Sequence, residues 1–359
     1  KHRLGSYHFI GSRPRISCRS VFIPVPCAKR KKDVLKMVHV AFLLDPIEGL
    51  DLKKDSSLAM IRAAIRRGWQ VSYLGQEDLS WKNNRPMGRL RTLTLDPAFL
   101  AELDPALAPS DWYHLDEAVE VDLASVDLIM MRKDPPFDME YIYTTYFLER
   151  AEDLGVRVVN KPASLRDCNE KFFATQFPEY TPPCIVSQDT EQLIQFHSEQ
   201  GEVIFKPLDG MGGTNVFRIG PEDPNLRVVI ENLTDRGRKT IMAQRFLSEI
   251  TDGDKRILLI NGKPVEFALA RIPMAGETRG NLAAGGTGVG RELTERDRFI
   301  ANALGPELKR RGLMFVGIDV IGDYLTEVNV TCPTCIRELD SQFSLDIGAM
   351  LMDELESVL

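Results

Sequence analysis

From Met37 on, the pattern of apolar residues changes once, near Asn160, and that change limits the folds open to the chain. Upstream, short apolar runs alternate with segments of helical spacing. "VHVAFLL" (38–44) reads as a buried strand, "DSSLAMIRAAIRRG" as a helix opened by Asp55 or Ser56 and closed by Gly68, and "WQVSYL" as the next strand. "VDLIMM" (126–131), helical spacing from Met139 to Leu154 and the strand "VRVVN" continue the alternation. This predicts an open α/β domain, in which ligands gather at the carboxyl ends of the strands. Asp45, Arg132, Lys133 and Asp134 then lie at or near a cleft edge, although each taken alone also fits a solvated loop.

Downstream, short strands dominate: "VIFKPL", "NVFRI", "IMAQRFL", "RILLI", "VEFALARI", "MFVGIDVI" and "LTEVNV". Helices are expected near Glu191–Glu199 and Thr294–Arg311. Asn261-Gly262 between two apolar runs is a strong hairpin signal. The second part is therefore α+β with antiparallel sheets.

The first 36 residues match neither part. They carry ten Lys or Arg against one acid, Asp33, with no sustained apolar period. They are expected to be a disordered or non-native extension, and fold reasoning begins at Met37. The whole chain has a net charge of -7, which argues against a nucleic-acid partner. No apolar run has the length of a membrane span, so no membrane association is expected. Six irregularly spaced cysteines fit a reducing compartment, and the expected location is the cytoplasm.

Three stretches carry chemistry. In "FKPLDGMGG" the lysine precedes the glycines, so this is not the Walker pattern. Lys206 on a strand would aim a cation into a cleft, and the backbone of Gly210, Met211, Gly212 and Gly213 could approach phosphate oxygens without Cβ atoms in the way. A tight hairpin loop beside a surface lysine is the plainer alternative. In "FVGIDVIGDYLTEVNV", Glu327 and Asn329 share a strand face and offer oxygens to a hard cation such as magnesium. A two-residue turn would put Asp319 opposite Thr326, on the wrong face. A three-residue connection, 322–324, would pair it with Glu327, and this register is expected. The third stretch, Met274 to Gly290, is rich in Gly and Ala, without a period, and contains Arg279. Loops of this length in compact domains are usually lids or linkers. A lid would shield a water-sensitive intermediate.

From Met37 to Leu359 the chain resembles the bacterial glutathione synthetases of the ATP-grasp superfamily. The resemblance is carried by "DLKKDSSLAM", "LIMMRKDPPFD", "NKPASLRDCNEK", "KPLDGMGG", "DGDKR", "ARIPMAGETRGNLAAGG", "FVGIDVIGD" and "LTEVNVTCPTCIRE", in order. It implies a substrate-side α/β domain at 37–159 and an ATP-grasp domain at 160–359, with a flap subdomain at 160–243 and a metal and lid subdomain at 244–359. It also implies ligation of γ-glutamylcysteine to glycine through an acylphosphate, with ATP as co-substrate, magnesium (or manganese) as cofactor, and a homotetramer. Lys171 and Lys206 should contact ATP phosphates, with the flap at 210–213. Gln244, Phe246 and Leu247 should lie by adenine, and Asp254 near the ribose. Asp319, Glu327 and Asn329 should hold the metal. Arg256, Arg271 and Arg279 should bind substrate carboxylates and the transferring phosphoryl group. Another carboxylate–amine ligase of the same fold, or a silent ATP-binding module, is the alternative reading. "CPTC" at Cys332–Cys335 has redox spacing but no thioredoxin-like context, and its backbone is expected to border the substrate pocket instead.

Overall fold

The computed structural model describes residues 37–101, 110–277, 279–280, 282 and 285–359. The basic N-terminal segment, residues 1–36, lies outside them. Eight strands form the first sheet: β1 (His39–Leu43), β2 (Gln70–Leu74), β3 (Leu79–Lys82), β4 (Arg85–Leu95), β5 (Tyr113–Leu115), β6 (Val119–Asp122), β7 (Leu128–Met131) and β8 (Arg157–Val159). The order is β3-β4-β2-β1-β7-β8, with β5 and β6 also on β4. β2, β1, β7 and β8 are mutually parallel, as the βαβ pattern requires. The long β4 and its neighbours are antiparallel, a mixed extension that the alternating pattern upstream did not announce.

Strand alternation splits the core. Val40 and Phe42 of β1 face one apolar cluster, Ala41 and Leu43 the other. The first cluster is covered by α1 (Ser56–Arg66), capped by the Asp55 carboxylate on Leu58 N–H. Around it lie α2 (Pro97–Ala101) and, from the chain's far end, α8 (Ile336–Phe343) and α9 (Ile347–Glu356). The second cluster is covered by α3 (Met139–Asp153) and α4 (Pro162–Asp167). The C-terminal apolar stripe is thus core: Ile347, Leu351, Met352 and Leu355 are fully buried. A Cβ at Gly348 would lie 2.8 Å from the Ala59 carbonyl oxygen, so the glycine lets α9 approach α1.

The second sheet, order β11-β10-β12-β9, comprises β9 (Cys184–Ser187), β10 (Val203–Pro207), β11 (Phe217–Ile219) and β12 (Ile241–Arg245), all antiparallel. Val203, Phe205, Ile241 and Ala243 pack under α5 (Thr190–Gln200) and α6 (Leu226–Leu233). The alternate residues, Ile204, Lys206 and Gln244, are left for the opposite face.

The third sheet, order β15-β14-β13-β16-β17, comprises β13 (Asp254–Ile260), β14 (Lys263–Ile272), β15 (Thr287–Glu292), β16 (Phe315–Ile321) and β17 (Tyr324–Asn329). Asn261 and Gly262 turn the β13–β14 hairpin with positive φ at both positions, 50° and 76°, as the Asn-Gly pair predicts. One face is sealed by α7 (Glu295–Arg310), which opens with a Thr294–Asp297 capping box. Asn160, where the sequence pattern changes, is a buried clasp between sheets: its amide N–H donates to the carbonyls of Phe315 and Val330, and its oxygen accepts from Phe315 N–H.

Candidate active site

The register of the third sheet gathers charge on one face. Arg256 pairs with Asp319, Asp319 with Glu327, Gly317 with Asn329, and Asp254 with Arg271. Side chains of cross-strand partners point the same way, so these six polar residues form one ionic patch. The expected pairing of Asp319 with Glu327 is present, but its device differs. The turn is the two-residue Gly322-Asp323, with Ile321 opposite Tyr324, and a bulge at Thr326 restores the carboxylates to one face. Thr326 Oγ1 anchors the bulge by donating to the Asp319 carbonyl at 3.1 Å.

The patch is a connected network. Arg256 holds Asp319 through Nε at 2.5 Å and Nη2 at 3.0 Å, and Arg271 Nη2 reaches Asp319 at 2.9 Å and Asp254 at 2.5 Å. Asn329 Nδ2 donates to Asp319 at 3.3 Å. Burial alone would raise the Asp319 carboxyl, but the two guanidinium groups outweigh it and hold Asp319 well below the usual carboxylate range. Glu327 is likewise lowered: burial opposes, and Lys171 and Lys206 prevail. Burial pushes Asp254 up to about 7 against the pull of Arg271. Its Oδ1 is buried and has no hydrogen-bond partner among the described residues.

The second sheet supplies the opposing wall. Lys206 Nζ lies 3.4 Å from Glu327 Oε1, and Lys171 Nζ lies 3.8 Å from the same oxygen. Lys171 also bonds Glu170 and donates to the Gly210 carbonyl at 2.6 Å, which ties the flap to the wall. Within the flap, Gly212 and Gly213 have φ of 64° and 79°, a conformation that side chains rarely adopt. A Cβ at Gly210 would meet Pro207 Cγ at 2.8 Å.

Between the walls lies a cavity of about 170 Å³. It brings together the residues expected at ATP, the metal and the transferring group, apart from Arg271: Lys171, Lys206, Gly210 to Gly213, Gln244, Phe246, Leu247, Asp254, Arg256, Arg279, Asp319, Glu327 and Asn329, whereas Asp45, Arg132, Lys133 and Asp134 do not line it. Arg271 is 4% exposed and lies behind the cavity surface, paired with Asp254 and Asp319. Ile204, Val216, Ile250 and Ile321 line the cavity as an apolar slot, and Glu170 adds a carboxylate whose pKa burial raises. These five were not singled out. Ile204 was in principle legible, two residues before Lys206 on the same strand face, whereas Ile250 comes from a short 3-10 helix, Ser248–Asp252, too brief to show a pattern.

The stretch expected to be structureless up to Gly290 is shorter: from Thr287 it pairs with β14 as the edge strand β15. Two glycines hid the strand from a reading based on alternation. Arg279 bonds Glu277 at 2.5 Å, and Gly280 packs so closely on β14 that a Cβ would lie 2.4 Å from the Arg271 carbonyl oxygen. Cys332 and Cys335 are free thiols.

The chain has the fold of an ATP-grasp ligase from Chryseobacterium gregarium, with a TM-score of 0.59 over 89% of this chain and 97% of that one. At 13% identity the likeness is one of fold alone, and the ATP-grasp class rests on the family match of residues 170–344. The family is decided by sequence. Residues 38–166 match the N-terminal domain of prokaryotic glutathione synthetase, and residues 170–344 its ATP-grasp domain. Glutathione synthetase of Pseudomonas syringae pv. tomato is 53% identical over 90% of this chain and 98% of that protein, and that of Pseudomonas aeruginosa is 54% identical with the same coverage. The chain belongs to the prokaryotic glutathione synthetases, and it is an ATP-dependent peptide ligase.

Proposed function

We propose that the cavity holds ATP between the flap and the ionic sheet face, and that the enzyme there joins γ-glutamylcysteine to glycine through an acylphosphate. The observation that carries this reading is the convergence of Lys171 and Lys206 on Glu327, in a patch whose neighbouring Asp319 is already balanced by Arg256 and Arg271. Phosphoryl transfer needs little covalent chemistry from protein and much fixed charge.

A carboxylate is a poor electrophile. Transfer of the γ-phosphoryl group to the carboxylate oxygen of γ-glutamylcysteine releases ADP and makes a good leaving group. The glycine amine then attacks the carbonyl carbon, phosphate departs with the C–O bond electrons, and the amine loses its proton. Lys206, Lys171 and the Gly210–Gly213 backbone neutralise the phosphates. The apolar slot takes the base beside Gln244, Phe246 and Leu247, and the unpartnered Asp254 Oδ1 awaits a ribose hydroxyl. Arg256, fixed by Asp319, and Arg279 on the loop after β14 bind the transferring group and substrate carboxylates.

Asp319, Glu327 and Asn329 offer two carboxylates and an amide, a set of hard oxygen donors suited to magnesium, with manganese tolerated. Among the described residues no group of three His, Cys, Asp or Glu is placed to hold a metal by itself, so phosphate oxygens and water would complete the shell. The cation would neutralise the charge that develops on the phosphoryl oxygens. Two domains divided near Asn160, a homotetramer and a cytoplasmic location complete the proposal. Among the described residues no helix is long and apolar enough to cross a membrane.

The test is ADP release with Mg-ATP and γ-glutamylcysteine, with and without glycine, the product identified by mass. ADP that depends on both substrates, with glutathione formed, supports the ligase. ADP without a glycine requirement points to an acyl kinase or an uncoupled ligase, and binding without turnover to a silent module.

A further inference from the structure

One buried side chain joins the first sheet to the loop after β17. Arg132 directly follows β7 and is 4% exposed. Its N–H donates to the Leu43 carbonyl at 2.7 Å, extending the β1–β7 ladder, and its own carbonyl accepts from the Cys332 thiol at 3.3 Å. Its Nε donates to Ser57 Oγ at 3.1 Å in the first turn of α1, and Nη2 donates to the Pro333 carbonyl at 3.0 Å. The guanidinium lies 5.7 Å from the centre of the Phe315 ring. These hydrogen bonds go to a hydroxyl and a carbonyl rather than a carboxylate. Burying a guanidinium in that way is costly, and its two single hydrogen bonds to different elements give directional control that an apolar contact would not.

The geometry on either side of this joint says what it controls. Next to the nucleotide cavity, and sharing Glu170 and Met211 with it, lies a chamber of about 30 Å³. One wall is Pro135 and Phe137, which follow Arg132 on its own chain segment. Another is Val330 and Thr331, which precede the Cys332–Pro333 peptide that Arg132 holds. None of the residues lining the nucleotide cavity belongs to the joint.

We propose that Arg132 is a positioning residue for the substrates other than ATP: it fixes the spacing of these two walls and leaves the nucleotide site untouched. The proposal rests on the ligase reading above. Misplacing a reacting group by about 1 Å can cost roughly 10² in rate, so a loosened joint should be felt at the peptide or the amine and not at ATP.

The experiment is steady-state kinetics of Arg132→Met and Arg132→Lys, each substrate varied in turn, with thermal unfolding of the same preparations. For Arg132→Met, kcat/KM for γ-glutamylcysteine or glycine should fall about 10-fold or more while KM for ATP stays within about two-fold, and Arg132→Lys, which can reach only one acceptor, should lie between. Equal changes in all three KM values, or a lowered melting temperature with kinetics unchanged, would overturn the proposal. If Arg132→Met does not fold, Ser57→Ala removes one acceptor only and should show the same split at about 3-fold; the absence of a split there also overturns it. A wild-type enzyme that needs no glycine would sink the ligase reading instead, before any variant is made.

Discussion

Lys255 and Arg256 are neighbours on β13 and point to opposite faces of one sheet. Behind the sheet, Lys255 bonds the fully buried Asp297 and the Gly322 carbonyl, while the other oxygen of Asp297 accepts from Thr294 N–H and Oγ1 at 3.0 and 2.7 Å. Every partner is internal, and the cluster is closed. In front, Arg256 binds Asp319 as tightly, but the network stays open. Asp254 keeps an oxygen without a partner, and two lysines crowd a single oxygen of Glu327 at more than 3 Å. Buried charge is thus no sign of function by itself. What separates the two faces is whether donors and acceptors remain for a molecule the fold does not supply.

The comparison can be broken from the back first, where the largest effect is expected. Asp297→Ala leaves the mostly buried Lys255 without its carboxylate and removes the cap of α7, and should cost about 3–5 kcal/mol of stability in denaturant unfolding, with turnover per folded molecule unchanged. Lost turnover at full stability would erase the distinction. In front the signature should invert: Lys206→Met should lower kcat/KM by roughly 10² to 10³, the scale for removing one preorganised charge, at nearly unchanged melting temperature. Arg279 is partly exposed and shared with Glu277, so Arg279→Ala should sit at the lower end, about 10² in kcat, and turnover at the wild-type rate would remove it from the site.

Much of this contrast was legible in the sequence, because strand periodicity is rigid: once Glu327 and Asn329 are on a strand, they share a face. The Asp319–Glu327 pairing was also reached, yet by a three-residue turn, where the chain uses a two-residue turn and a bulge at Thr326. Local pattern does not distinguish these, since both place the same residues opposite each other. The closed pair behind the sheet was out of reach, because Lys255 and Asp297 are 42 residues apart and meet only when α7 docks. Arg271 shows the opposite limit. Its residue type suggests substrate contact, but its ion pairs with Asp254 and Asp319 could not be read from local pattern. β15 was missed because two of its six residues are glycine, leaving no side-chain alternation to detect.

The smallest effect comes from a carboxylate on neither face. Asp340, near the end of α8, accepts from Ile347 N–H at 2.9 Å, and burial pushes its pKa up to about 7. A carboxyl whose folded value lies above its unfolded one favours folding when protonated. Its contribution is complete below the ordinary value of 3.8 and is lost as pH rises through about 7. Asp340→Asn keeps an acceptor for Ile347 and removes the ionisation. The variant should therefore gain on wild type as pH goes from 5 to 8, by roughly 2–4 °C in melting temperature, with no change in ligase activity. A difference that stays constant with pH would mean that Asp340 remains ionised in the fold. A change in activity would mean that α8 reports to the site, and that closed and open charge are less separable in this enzyme than Lys255 and Arg256 suggest.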